Sequence, residues 1–263
     1  MLLALGLPVL LLVLLPICAL LGSTSPATFL QYLGDELTQQ ALKLSLISSL
    51  ISTALIVLFG TPLAVLLSRG HLPRLLSGFL NLTILIPPAV AGLGLLAAFG
   101  QHGILAEFLV KSGIRIPMSL TAVVLAQCFV ACPYFIKSAA ASLSAVPQRL
   151  KTMALLEGAS TFQIFLYVTL PLVRRGFLAG VAMSWARALG EFGATLIFAG
   201  NVPGRTQTLP LAIFGNLAAN EQRALVVAVV LLLVSFAFLL ITQCLRRGED
   251  PSFADELPGL NQL

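Results

Sequence analysis

The sequence predicts an all-α transmembrane protein built as a bundle of six helices, and three observations carry that prediction. Six apolar stretches, over residues 1–21, 41–67, 75–99, 118–136, 176–199 and 225–245, fill most of the 263 residues. Each is long enough to cross roughly 30 Å of hydrocarbon as a helix. Hydrophobic residues make up 58% of the chain and charged residues 10%, with a mean hydropathy of +1.01, a composition that no water-exposed surface could carry. Third, Lys and Arg gather at the ends of the apolar stretches rather than in a patch interleaved with aromatics, so the formal charge of +5 reports topology and not nucleic-acid binding.

The first stretch lacks a basic start and exceeds the usual apolar core of a cleaved signal, so it reads as an uncleaved first span. In the second, Ser45, Ser48, Ser49 and Ser52 recur at helical spacing and put small hydroxyls on one face. That face suits either a polar route through the membrane or close packing against another helix. The third is interrupted by Pro87-Pro88 and followed by Gly92-Leu93-Gly94, which frees backbone carbonyls that must be satisfied inside the bundle. This places it beside a cavity, at a subunit contact, or at a static kink.

Six crossings put both termini on one side. The connectors sharing that side carry Arg69, Arg74, Lys137, Arg149, Lys151, Arg174, Arg175, Arg246 and Arg247, whereas the opposite ones carry Lys43, Lys111, Arg115, Arg205 and Arg223. Basic residues resist translocation, so the richer side is expected to be cytoplasmic. On the outer side, residues 101–117 and 201–223 are long enough for short re-entrant or interfacial helices. Residues 1–247 thus read as one transmembrane domain with its core at 41–245, and the acidic, Pro-containing residues 248–263 as a disordered cytoplasmic tail.

Residues 137–175 form a cytoplasmic loop far longer than a helix connection needs. Pro147 can open a helix, Gln148 to Leu156 has helix-forming composition, and Gly158 supplies a left-handed exit. A short helix, a bend and a second stretch closing at Pro171 are expected. Such a projection suits transmission of movement from a separate motor; an interfacial helix lying on lipid headgroups would have the same pattern.

The fifth stretch contains Arg187 and Glu191, two charged residues well inside an apolar span. Four apart, they are expected one turn apart on a single helix face, neutralising each other. They read either as a gate component or as a pair that fixes helix packing. Gly190 and Gly193 are expected to let a neighbouring helix or a substrate approach the backbone.

No catalytic reaction is assignable. The chain has no phosphate-binding Gly-x-x-x-x-Gly-Lys-Ser/Thr loop, no His/Glu metal cluster and no Ser/His/Asp set. His71 and His102 have no ligand cluster around them, and Cys18, Cys128, Cys132 and Cys244 read as small apolar packing residues. No cofactor or metal is expected on this chain.

The cytoplasmic loop resembles that of the permeases of binding-protein-dependent ABC importers, which carry Glu-Ala-Ala, three residues, Gly, and later Leu-Pro. Aligned on Gly158-Ala159, with Val168 and Leu170-Pro171 following, the Glu-Ala-Ala position falls on Thr152-Met153-Ala154, so the leading Glu is absent. Residues 187–214, from Arg-Ala-Leu-Gly-Glu-Phe-Gly-Ala-Thr through Asn-Val-Pro-Gly-Arg-Thr-Gln-Thr to Leu-Pro-Leu-Ala-Ile-Phe, are similar to the molybdate branch of that family. Sulfate and thiosulfate permeases share Gly-Glu-Phe-Gly-Ala, and tungstate stays open. The resemblance implies a type I importer fold and a homodimer in the inner membrane. It also implies two cytoplasmic ABC ATPase subunits docking on the loop, and a periplasmic or lipid-anchored oxyanion-binding protein. An ion-coupled secondary transporter is the rival of another class, with Glu191 as its titratable candidate.

Overall fold

The computed structural model describes residues 2–71 and 73–247, and among them every regular element is helical. The proposed tail at 248–263 lies outside the described residues. In chain order the helices are α1 (Leu2–Gly22), α2 (Pro26–Leu33), α3 (Glu36–Ser68), α4 (Arg74–Leu85), α5 (Pro88–Phe99), α6 (Ala106–Lys111) and α7 (Leu120–Ser144). There follow α8 (Gln148–Leu156), α9 (Thr161–Gln163), a π-helical turn (Ile164–Thr169), α10 (Leu170–Leu189), α11 (Gly193–Ala199), α12 (Leu209–Asn216) and α13 (Glu221–Arg247).

In hydrocarbon a backbone must satisfy its own hydrogen bonds, which is why a chain this apolar closes on itself as helices. α7 is the axis of the bundle, packing on α3, α10, α11, α4 and α5. At the end nearest α8, Phe135, Ile136, Leu143 and Val173 form a core with Ile56 of α3. At the opposite end Leu95, Val123 and Phe198 form a second core, while Leu209 and Val226 close a third between α12 and α13. α1 is exposed from Leu5 to Ala19 and leans on α13, leaving the leucines of that stretch for lipid.

Five helices among the described residues are long and apolar enough to cross a membrane, not six. The predicted third span is instead two short helices, α4 and α5. Ile86, preceding a proline, is forced to an extended ψ of 127°, and Pro87 and Pro88 have no N–H to continue the ladder. The predicted fifth span also breaks, into α10 and α11, around Gly190–Phe192.

The predicted loop at 137–175 is largely helix as well. α7 runs on to Ser144, because Ala139–Ala141 sustains a helix after hydropathy has fallen. Nor does Pro171 close a separate stretch: Thr161–Leu189 is one continuous apolar helix through the π turn. Pro171 has no N–H for Tyr167, and the chain widens just before it, with the Leu170 N–H donating to Phe165 O. Both segments expected on the outer side hold a short helix, α6 and α12. α2 was not anticipated; Ser25 caps it by accepting from the Thr28 N–H, and Pro26 presets its first turn.

Candidate functional site

Arg187 and Glu191 meet, but not along a continuous helix. α10 ends at Leu189, so Glu191 lies in the break, and its carboxylate turns two ways. Oε1 accepts from the Ala194 N–H at 2.8 Å, satisfying an open donor at the start of α11. Oε2 sits 2.7 Å from Arg187 Nη1, close enough for an ion pair although not along a hydrogen-bonding direction. The Glu191 side chain is 0% exposed and that of Arg187 26%, so the cation alone keeps access to the protomer surface.

The two breaks pack on each other. A Cβ at Gly193 would stand 3.0 Å from Pro88 Cβ, and one at Gly92 would stand 2.9 Å from the Ala194 carbonyl, so this approach needs glycine at 92 and leaves little room for more at 193. Pro87 and Pro88 thus serve a contact between α5 and α11. Gly190 has no such neighbour within the protomer: it is exposed, and a Cβ there would meet only its own Ala186 carbonyl, 3.5 Å away.

Sequence reasoning missed Trp185 and Thr195, both buried, whose Nε1 and Oγ1 have no hydrogen-bond partner among the described residues. The Trp185 ring stacks on Phe238 with centroids 3.8 Å apart, tying α10 to α13.

The serine stripe is a packing seam within the protomer. Ser45, Ser48, Ser49 and Ser52 are all fully buried. Ser52 Oγ donates to Gln127 Oε1 at 2.8 Å, Gln127 Nε2 donates to Ser48 Oγ at 3.1 Å, and Ser45 Oγ accepts from the Leu209 N–H at 2.7 Å. Among the described residues Ser49 Oγ bonds only its own helix, at Leu46 O. Gln127 was also missed; the signal for it was a lone amide in an apolar span.

At the other end, α8 and the bend after it stand as the spacing predicts. Gly158 has φ +84°, the left-handed conformation that ends the helix, and Ser160 with Gln163 forms a capping box that opens the next. Thr152 and Met153 are exposed on α8 and Ala154 is half-buried; Ala159 follows Gly158 in the bend. Leu170 and Pro171 lie in the first turn of α10, beyond the π turn on which α8 packs.

Residues 56–249 match the family described as binding-protein-dependent transport system inner membrane component. The chain is 42% identical over 206 residues to the molybdenum transport system permease protein ModB of Mycobacterium bovis, covering 78% of this chain and 77% of that one. It is 36% identical over 187 residues to the sulfate transport system permease protein CysW of Synechococcus elongatus, covering 70% and 65%. Among solved structures, that of a bacterial alginate ABC transporter in complex with an alginate pentasaccharide-bound periplasmic protein aligns with a TM-score of 0.70. The two are 14% identical, with 91% of each chain covered, a likeness in fold. The broken bundle, its apolar exterior and the match over residues 56–249 lead to one assignment: the chain belongs to the binding-protein-dependent transport system inner membrane component family.

Proposed function

We propose that this chain is the membrane-spanning subunit of an ABC importer that carries molybdate into the cell. Two copies form the pathway, two ATPase subunits supply the energy, and a periplasmic or lipid-anchored binding protein delivers the anion. The relationship to ModB at 42% identity over 78% of the chain carries this reading.

The geometry is compatible with it. Arg187 is a cation whose buried counter-ion, Glu191, is also engaged by α11, so its remaining guanidinium donors stay available to a passing oxyanion. The amino end of α5 packs beside α11, and a half-helix amino terminus near an anion path adds favourable potential. Ser45, Ser48, Ser49 and Ser52 hold α3 in place rather than line this path. α8, with Thr152, Met153 and Ala154, is the docking element for the ATPase on the cytoplasmic side, both termini lie on that side, and residues 1–247 act as one domain. Without a Glu at 152, docking rests on shape and apolar contact.

The test is uptake into proteoliposomes containing this chain, its ATPase and its binding protein. Molybdate accumulation that requires ATP and stops when the ATPase nucleotide site is disabled supports the reading. Accumulation driven by an ion gradient without the ATPase overturns it, and preferential sulfate uptake reassigns the cargo. Gly158→Pro cannot adopt φ +84° and is expected to uncouple ATP hydrolysis from uptake while leaving membrane insertion intact. Unchanged coupling removes α8 as the docking element.

A further inference from the structure

A cavity of about 730 Å³ opens at the end of the bundle that carries α8, between the last turns of α3 and α7, α8 itself and the π turn. Its polar wall brings together Arg69, His71 and Lys151, and no carboxylate lines it among the described residues. Neither Arg69 nor Lys151 has a side-chain hydrogen bond or ion pair among the described residues. Thr169 is 5% exposed, lines the same cavity, and its hydroxyl likewise has no partner there. The remaining wall is apolar, with Val65, Leu143, Ile164 and Phe165.

Two cations without an ion-pair partner and a threonine hydroxyl share a concave space with no carboxylate on its wall among the described residues, a setting that suits a compact anion. We propose that this cavity binds a tetrahedral oxyanion, either the phosphate of an anionic phospholipid headgroup or a free inorganic oxyanion. The apolar wall suits the first carbons of a lipid chain, and basic pockets between helices at the cytoplasmic membrane surface hold anionic headgroups. The location rests on the cytoplasmic assignment of α8 made above.

α8 divides its labour by face. Gln148, Lys151 and Leu155 line the cavity, while Arg149, Met153 and Leu156 are exposed and do not. An anion seated behind α8 would bridge it to α3 through Lys151 and Arg69, stiffening the docking element from the side its partner does not touch.

The intact chain, with or without ATPase subunits bound, is purified at low salt from membranes containing phosphatidylglycerol and phosphatidylcholine, and retained lipid is counted by native mass spectrometry. In parallel, sodium phosphate and sodium molybdate are added to delipidated protein and thermal unfolding is followed. Phosphatidylglycerol retained by the native chain and reduced about fivefold for each charge removed by Lys151→Gln and Arg69→Gln supports the proposal with a lipid as source. Lys151→Arg is expected to restore retention, and Arg149→Gln, the same charge change on the outer face, to leave it unchanged. Stabilisation by inorganic anions that vanishes in the same variants, without lipid retention, supports it with a free oxyanion as source. Equal retention and equal stabilisation in native and variant proteins overturn it. So does loss of ATPase binding in Lys151→Gln with lipid retention and anion stabilisation unchanged, which would mean that the cavity seats a carboxylate of that partner. Anion retention is read on this chain alone, whereas Gly158→Pro reports on ATPase coupling, so the failure of either reading is visible separately.

Discussion

Two polar regions lie inside the same apolar bundle, and they are built on opposite plans. At the α3–α7 seam the polar groups are neutral and face one another: Gln127 receives from Ser52 and gives to Ser48, closing the interaction within the protomer. At the α10–α11 break the groups are charged and incompletely matched, with Arg187 partly open and the Trp185 and Thr195 polar atoms without a partner among the described residues. A closed neutral network fixes helix positions and asks nothing of its surroundings. An open charged one retains affinity for something outside the protomer, and in hydrocarbon such a feature marks function.

The contrast can be broken most forcefully at Glu191. Glu191→Gln leaves the Arg187 cation without its counter-ion and is expected to cost about 3 kcal/mol, read as thermal unfolding in detergent, together with most of the uptake. Combining it with Arg187→Met should recover stability but not transport. Recovery of both would make the pair purely structural, like the seam.

Next in size is Gly193→Val. The new side chain would press on Pro88 and Ala89, costing about 1–3 kcal/mol by overpacking, whereas Gly190→Ala, open in the protomer, should be close to neutral in monomer stability. A thermal scan of the two variants separates them, and equal losses would refute the contact between the breaks.

Gln127→Leu removes two interhelical hydrogen bonds and is expected to cost about 1 kcal/mol, without altering which anion is carried. A change in molybdate-to-sulfate selectivity would move the seam into the pathway. Smallest of all, Ser49→Ala, whose hydroxyl bonds only its own turn, should shift stability by less than about 0.5 kcal/mol in the same scan.

Hydropathy reveals where the chain is apolar but not where its helices stop. α3, α7 and α13 were legible because their apolar runs coincide with continuous helix. The α4–α5 break was legible at Pro87-Pro88, but its packing partner was not: Gly193 and Ala194 lie against Pro88 and Gly92 from another part of the chain. The Arg187–Glu191 pairing followed from spacing, whereas the use of Glu191 to close α11 required the break itself. The serine stripe was ambiguous because period 3.6 says that residues share a face, not what faces them; Gln127, some 75 residues on, settles its packing. Gly158 was fully readable because a left-handed helix exit is a local requirement of the backbone.

The π turn at Ile164–Thr169 has one further result. Such a turn inserts an extra residue relative to an α-helix, and one residue corresponds to about 100° of rotation about a helix axis. The azimuth at which α8 projects from α10 is therefore set by that insertion. Removing one residue between Ile164 and Thr169 would barely change the hydropathy of the segment, yet turn α8 and α9 to a different compass bearing about α10.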